Sequence, residues 1–304
     1  MEILKTRQKP ELLTVLELLD KRMTLPFAEK QHLFAMLKGY DGEVLFDSLI
    51  GKYITSDAIV INDVSMILGS TPFQIDSIVL TSDTLYLYEI KNYQGSFTNK
   101  NSHFLTAAGQ EIENPANQLN RTEMLLSKLL KKWNATLPIK SFVVFVHPSF
   151  ILYEAKESDP FIFPSQIENH FNTVNRQSGV LTDNIYNIAQ RLNEECRQEL
   201  PYQRQFPFYH LKGLKKGLLC SHCGSFDLTH TTKKSHCQTC GSVALVNDLF
   251  LSQVTAFKVL FSDKRITTNA MFEWCGETLT KRRIAALLAA AYKKKSYGKS
   301  THYS

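Results

Sequence analysis

Two groups of residues in this sequence have the types and spacing that chemistry needs. The first is Asp76 with Glu89 and Lys91. They lie on two apolar, β-prone runs, residues 74–80 and 85–90, separated by the polar cluster Thr81-Ser82-Asp83-Thr84. An even-length turn centred between Ser82 and Asp83 pairs Leu80 with Leu85 and sets Asp76 opposite Glu89. Such a cross-strand pair has its Cβ atoms ~5 Å apart. Lys91, two residues beyond Glu89, points to the same face. Two facing carboxylates in a sheet of Ile, Val, Leu and Tyr repel unless one keeps its proton or a cation sits between them. Mg2+ and Mn2+ take such oxygen ligands and commonly add phosphate and water. A lysine beside the pair suits a site where phosphate is held and water gives up a proton. The same residues also read as an exposed Glu–Lys pair on a surface strand, and a one-residue slip would undo the pairing.

The second group is four of the six cysteines, Cys220-x2-Cys223 and Cys237-x2-Cys240. Each pair fits a tight turn that aims two thiolates at one point. Two such turns complete a tetrahedron around Zn2+ with no open position, so the zinc is structural. Gly224 and Gly241 follow the second cysteine of each pair, where such a turn calls for positive φ. Phe226, Leu228 and Thr229 supply a short hairpin between the knuckles, as in a zinc ribbon. Disulfides are the alternative, and an intracellular chain argues against them. His222 and His236 lie inside and beside the knuckles and could replace a thiolate, though four cysteines already complete the set, and Cys196 and Cys275 have no partner pattern.

The elements that must position these groups follow from periodicity. Residues 9–39 have helical spacing of Leu12, Leu13, Leu16, Leu19, Leu33 and Leu37, and Asp41-Gly42-Glu43 reads as the opening of another helix. Strand-like runs cover 58–61, 74–80, 85–90 and 141–146. Asn114-Pro115 joins a capping residue to a first-turn proline, with a helix following through Trp133. Residues 155–180 are irregular, 183–200 helical and 201–208 a linker. After the knuckles, 248–262 and 279–295 read as helices. The expected organisation is a helical segment 1–40, an α/β domain 41–200, a zinc ribbon 215–245 and a basic helical region 246–304.

Charge follows the same division. Residues 211–304 hold 15 of the 35 lysines and arginines but only 5 of the 29 acidic residues. That excess suggests a polyanionic partner, most simply nucleic acid, although lysine-rich tails also serve solubility. The 304-residue chain is 43% hydrophobic and 21% charged, which excludes collagen, a long coiled coil and a mostly disordered chain. Its longest apolar run, 284–292, is too short for a bilayer, and the N-terminal residues lack a signal-peptide core. A cytoplasmic protein with no membrane association is expected.

The hairpin and its neighbours resemble the NERD (nuclease-related) domain of the PD-(D/E)xK nuclease superfamily. The resemblance rests on Gly42-Glu43, Gln74-Ile75-Asp76, Glu89-Ile90-Lys91-Asn92-Tyr93-x-Gly95 and Asn114-Pro115-x-x-Gln118, in the family's order, over residues 38–150. Ser77 departs from the histidine common there, and no proline precedes Asp76. The resemblance implies a restriction-endonuclease-like mixed sheet flanked by helices. It implies Asp76 and Glu89 as ligands of Mg2+ or Mn2+, with the Ile90 carbonyl. Lys91 would orient or deprotonate water and stabilise charge. Glu43 would be an added ligand or water acceptor, with Asp47 as a substitute, and Gln118 a polar site residue. Glu43 also reads as a helix-dipole carboxylate, and Gln118 as a solvated amide. Arg121 reads as a surface arginine, Tyr86 and Tyr88 as core, and His147 as a core histidine. The implied function is hydrolysis of phosphodiester bonds, in DNA first, as an endonuclease. The rivals are a catalytically inactive nucleic-acid adaptor and a zinc-ribbon protein scaffold.

Overall fold

β-Branched and aromatic residues alternate along strands that are buried on both faces, so a sheet with helices on each side is the arrangement that covers them. The computed structural model describes residues 1–196, 206–297 and 300–304. They form two compact units, residues 1–10 with 34–205, and residues 11–33 with 206–304. The expected linker at 201–208 falls mostly outside the described residues.

The chain begins with strand β1 (Glu2–Lys5), helix α1 (Glu11–Arg22) and helix α2 (Phe27–Tyr53). Strands β2 (Ile59–Leu68), β3 (Thr71–Leu80) and β4 (Leu85–Lys91) follow, then β5 (Gly95–Asn99), β6 (His103–Thr106) and β7 (Glu111–Glu113). Next come α3 (Pro115–Lys132), β8 (Ile139–Phe145), β9 (Phe150–Tyr153), β10 (Phe161–Ile162), α4 (Ile167–Gln177) and α5 (Asp183–Glu195). The main sheet of the first unit has the order β1-β2-β3-β4-β8-β10, and β7-β6-β5-β9 form a smaller sheet. Strands β2, β3 and β4 are antiparallel neighbours, while β4–β8 and β1–β2 run parallel, so the main sheet is mixed.

Each face of the main sheet has its own core. Ile78, Leu80, Leu85, Leu87, Val143 and Phe145 pack with Leu119, Leu126 and Leu129 of α3 and with Ile188 and Leu192 of α5. Val79, Tyr86, Tyr88, Ile90 and Val144 pack with Phe46 and Ile50 of α2 and with Phe171 and Val174 of α4. Tyr86 and Tyr88 are thus core, as their alternation predicts. The cap of α3 is also as expected, since the Asn114 side chain accepts the Ala116 amide and Pro115 is the first helical residue.

Several elements differ from expectation. The first residues form a strand that edges the sheet instead of part of a helical segment. Gly42 does not open a helix but lies within α2. A side chain there would meet Asn92, because a Cβ on Gly42 would lie 2.4 Å from the Asn92 Cβ. The contact is tight because the Asn92 amide donates to the Lys38 carbonyl, tying the end of β4 onto the helix. The stretch read as irregular contains α4, whose Ile167, Phe171 and Val174 carry helical spacing that Pro160 and Pro164 obscured.

The second unit contains α1, a ribbon of β11 (Leu228–His230), β12 (Lys234–Cys237) and β13 (Val243–Leu245), and helices α6 (Val246–Leu260), α7 (Thr268–Trp274) and α8 (Lys281–Ala291). The chain then forms a terminal hairpin of β14 (Lys294–Tyr297) and β15 (Ser300–Tyr303), so the helical reading of the basic tail is corrected at its end. Arg22 is only 2% exposed. Its guanidinium lies 3.7 Å from the centre of the Trp274 ring and donates to the Lys215 carbonyl and to Gln253 Oε1. Burial pulls its pKa down to about 10, and the partners are carbonyls and an aromatic face instead of a carboxylate.

Gly42→Ala tests the packing that seats α2 on the site. Helix propensity alone would favour alanine by about 1 kcal/mol. The contact with Asn92 reverses the sign, and overpacking of this kind costs about 1–3 kcal/mol. A urea midpoint lower than that of the wild type is expected. A higher midpoint would show that α2 does not need the close approach.

Candidate functional site

The turn after Leu80 gives the register that the sequence implies. β3 pairs with β4 from Leu80 with Leu85 to Ser77 with Tyr88. The ladder stops there, one pair short of Asp76 and Glu89. At the next step Asp76 Oδ2 accepts the Ile90 amide at 2.7 Å, so a carboxylate replaces a strand carbonyl. The other side of β3 is interrupted at the same residue. β2 pairs Asn62 with Ser77 and Val64 with Ile75, and Asp63 with Asp76 is skipped. Asp63 has φ of 53°, in the left-handed region. That conformation costs a non-glycine residue roughly 1–2 kcal/mol and is tolerated best by Asn and Asp.

The gap exposes the Asp76 carbonyl, which accepts from Arg7 Nη2 at 2.9 Å. The same guanidinium donates from Nη1 to Glu43 Oε2 at 2.9 Å and through Nε and Nη2 to both oxygens of Asp47 at 3.0 Å. Arg7 follows β1, and its side chain is 4% exposed. Asp63 is held as well. Its carboxylate accepts from Gln74 Nε2 at 2.7 Å and lies 3.8 Å from the Lys5 ammonium, which also bonds to the Asp63 carbonyl.

Glu89 and Lys91 end β4 on the face that Leu85 and Leu87 share. Lys91 Nζ donates to Glu89 Oε1 at 2.7 Å and to Gln118 Oε1 of α3 at 3.1 Å. Glu89 is 2% exposed. Burial, reinforced by the Asp76 charge, pushes its pKa up to about 8 against the pull of Lys91. Burial raises Asp76 too, opposed by Lys91, the Ile90 amide and Arg7. Glu43 is pushed up to about 7 by burial and by Asp76. Burial alone would lower Lys91, but Glu89 and Asp76 outweigh it and hold the ammonium above its ordinary value.

Asp76, Glu89, Lys91 and Gln118 therefore meet at the carboxyl end of β4. Glu43 reaches the cluster from α2, on the opposite layer from Gln118, and Arg7 binds one of its oxygens. Among the described residues, the four cysteines form the sole group of three or more His, Cys, Asp or Glu ligand atoms lying within 4.8 Å of one another. Glu43, Asp76 and Glu89 do not converge that closely. Glu43 lies deep within α2, which starts at Phe27, so the helix-dipole reading of its charge does not hold. Both oxygens of Asp47, read as a substitute for Glu43, accept from Arg7. Arg121 is exposed, and His147 is half-buried beyond β8, bonded to the Ser149 hydroxyl instead of the core. Arg7, Lys5 and Asp63 escaped the sequence reading. The pair Asn62-Asp63, both tolerant of left-handed backbone, was the one local signal.

The cysteine knuckles repeat one geometry. Gly224 and Gly241 have φ of 71° and 73°, and their amides donate to the carbonyls of Cys220 and Cys237. Sγ separations are 3.7 Å for Cys220–Cys240 and 3.6 Å for Cys223–Cys237. Tetrahedral thiolates ~2.3 Å from zinc stand about 3.8 Å apart. The four-cysteine cluster is compatible with structural zinc. Phe226, expected in the hairpin, precedes its first strand.

Residues 38–146 match the family model of NERD, the nuclease-related domain. No curated protein and no solved structure matches the chain. This segment of the first unit is thus similar to a nuclease-related domain, consistent with the PD-(D/E)xK superfamily, and such a domain implies nucleic-acid interaction. Among the described residues, no helix is long and apolar enough to cross a membrane.

Raised carboxyl pKa values give stability a definite pH slope. Between the ordinary 4.5 and about 7 to 8, the folded metal-free protein holds protons at Glu43 and Glu89 that the unfolded chain has lost. Stability therefore falls as pH rises through that window. His170, lowered by burial to about 4 from 6.5, has the opposite slope, complete near 6.5. In chelator-treated protein, the melting temperature is expected to fall from pH 6.5 to 8, and Glu89→Gln to flatten the fall. A rise over that window would contradict the assignment.

Proposed function

We propose that the chain is a divalent-metal-dependent nuclease that hydrolyses phosphodiester bonds, with DNA as its first substrate. The observation that carries the reading is the meeting of Asp76, Glu89 and Lys91 at the break in the β3–β4 ladder, inside the nuclease-related segment. Two buried carboxylates at one strand end suit a hard cation, Mg2+ or Mn2+, with Asp76 and Glu89 as its ligands. Such an ion, when bound, supplies Lewis-acid stabilisation of charge on the phosphoryl and leaving-group oxygens.

The chain's own residues supply the rest. Lys91 donates to Glu89 and Gln118, and without metal Glu89 and Asp76 hold its ammonium above its ordinary value. It acts as a donor that stabilises developing charge on a phosphate oxygen, and not as a base. Gln118 Oε1 fixes the direction of that ammonium. Glu43, pushed up to about 7, is the carboxyl matched to taking a proton near neutral pH, and its second oxygen is the acceptor for water. The cysteines Cys220, Cys223, Cys237 and Cys240 hold zinc, which closes the ribbon. Lys281, Arg282 and Arg283 open α8 with charge of the same sign as the helix N-terminus. Exposed Lys233 and Lys234 join them in the basic second half of the chain. These residues suit phosphate contacts that strengthen nucleic-acid binding without reading sequence.

The test is incubation of purified protein with closed circular plasmid and Mg2+ or Mn2+, in parallel with metal calorimetry. Wild type is expected to nick the circle. Asp76→Ala is expected to lose metal binding and nicking together. Lys91→Ala should keep metal binding and lose at least ~100-fold in rate, the scale of one charge-stabilising donor. Lys91→Arg should keep part of the rate, because charge matters more than proton transfer. Metal binding and nicking left intact in Asp76→Ala would remove the site from this hairpin.

Zinc is tested separately. One zinc per chain is expected by elemental analysis, with release on Cys220→Ser and loss of the ribbon's structure while the first unit keeps its melting transition. Protein prepared without chelator and free of zinc would overturn the assignment.

A further inference from the structure

The carboxylate cluster contains more acid than a two-ligand metal site requires. Glu43, Asp47, Asp63, Asp76 and Glu89 feel one another's charge. Three cations are built in beside them, Lys5 on Asp63, Lys91 on Glu89, and Arg7 on Glu43 and Asp47. With all five carboxylates deprotonated, as metal ligation requires of Asp76 and Glu89, the three cations leave two negative charges uncompensated. That remainder matches one divalent ion.

Arg7 stands apart from the other two cations. Its side chain is almost fully buried, and four of its five N–H groups donate to the cluster. It binds one oxygen of Glu43, both oxygens of Asp47 and the carbonyl of Asp76. The carbonyl is accessible because the ladder between β2 and β3 breaks at Asp63. A guanidinium here does what a metal would do on this side of the cluster: it gathers oxygens from α2 and β3 around one fixed positive charge. Its fork is planar and permanently charged, so it cannot leave the site by losing a proton.

We propose that Arg7 is a positioning residue that takes the place of a second metal ion, and that it restricts the site to one divalent cation held at Asp76 and Glu89. It keeps Glu43 directed at the site without letting it join the ligand set. This inference rests on the nuclease-site reading above. Arg7 lies outside the segment matched to the nuclease-related domain, so the restriction belongs to the residues that follow this chain's own first strand.

The experiment is Mn2+ calorimetry on full-length, zinc-loaded protein, together with electron paramagnetic resonance of bound Mn2+. Wild type should bind one Mn2+ per chain and give the six-line spectrum of an isolated ion. Arg7→Gln removes the cation and leaves Glu43 and Asp47 unpaired, so a second Mn2+ should bind and the spectrum should broaden. Arg7→Lys keeps the charge and should return the count to one. Two ions in wild type, or a count of one in folded Arg7→Gln, would overturn the proposal. If Arg7→Gln does not fold, the wild-type count and spectrum still decide. No Mn2+ bound to wild type would overturn the nuclease reading itself, which separates the two failures.

Discussion

Everything at the site depends on one interruption in hydrogen bonding. Asp76 leaves the ladder on both sides of its strand, toward Asp63 and toward Glu89. A strand in mid-sheet cannot leave amides and carbonyls unpaired without a cost of about 1–3 kcal/mol for each group. Here the pairing is restored by side chains. The Asp76 carboxylate takes the Ile90 amide, and Arg7 takes the Asp76 carbonyl. The repair brings charges into the sheet, and those charges are the materials of the site. The left-handed backbone at Asp63 is the local strain that keeps the gap open.

How much of this was legible in sequence depends on the range of each signal. The β3–β4 register was legible because a polar four-residue turn sits between two apolar runs, and the observed pairs follow it. The cap of α3 was legible because Asn114 and Pro115 act within one turn. The full extent of β2 was not, because Asn62, Asp63 and Ser65 break its alternation, and those are the residues at the kink. Gly42 suggested a helix boundary, since glycine weakens helices. Its actual cause is steric, and a contact fifty residues away along the chain cannot be read locally. Arg7 was invisible for the same reason. A single arginine near an N-terminus carries no pattern, and its meaning comes from where β1 joins the sheet.

The chain handles clustered anionic ligands in two ways. In the first unit the acids are met by resident cations, so most of the charge is balanced before any metal arrives. In the ribbon, Cys220, Cys223, Cys237 and Cys240 converge within 4.8 Å, and no lysine or arginine is paired with them among the described residues. Four thiolates so close would repel one another strongly, and the cluster is compatible with a structural zinc that would neutralise them. The acidic site has the opposite logic. There Lys5, Arg7 and Lys91 bond to the carboxylates directly, while burial still raises the pKa values of Glu43, Asp76 and Glu89.

The segment matched to the nuclease-related domain is shorter than the structure that makes it work. Residues 38–146 contain the hairpin, α3 and β8, but not β1, β10, α4 or α5. Without β1 the edge of β2 is open and Arg7 is absent, which leaves Glu43 and Asp47 as paired anions beside Asp76. Without α4 and α5, the two cores lose Phe171, Val174, Ile188 and Leu192, and both sheet faces lose part of their cover. The compact unit is residues 1–10 with 34–205, and the site draws on elements throughout it. The matched segment supplies Glu43, Asp76, Glu89, Lys91 and Gln118. The flanking elements of this chain set how their charges are balanced.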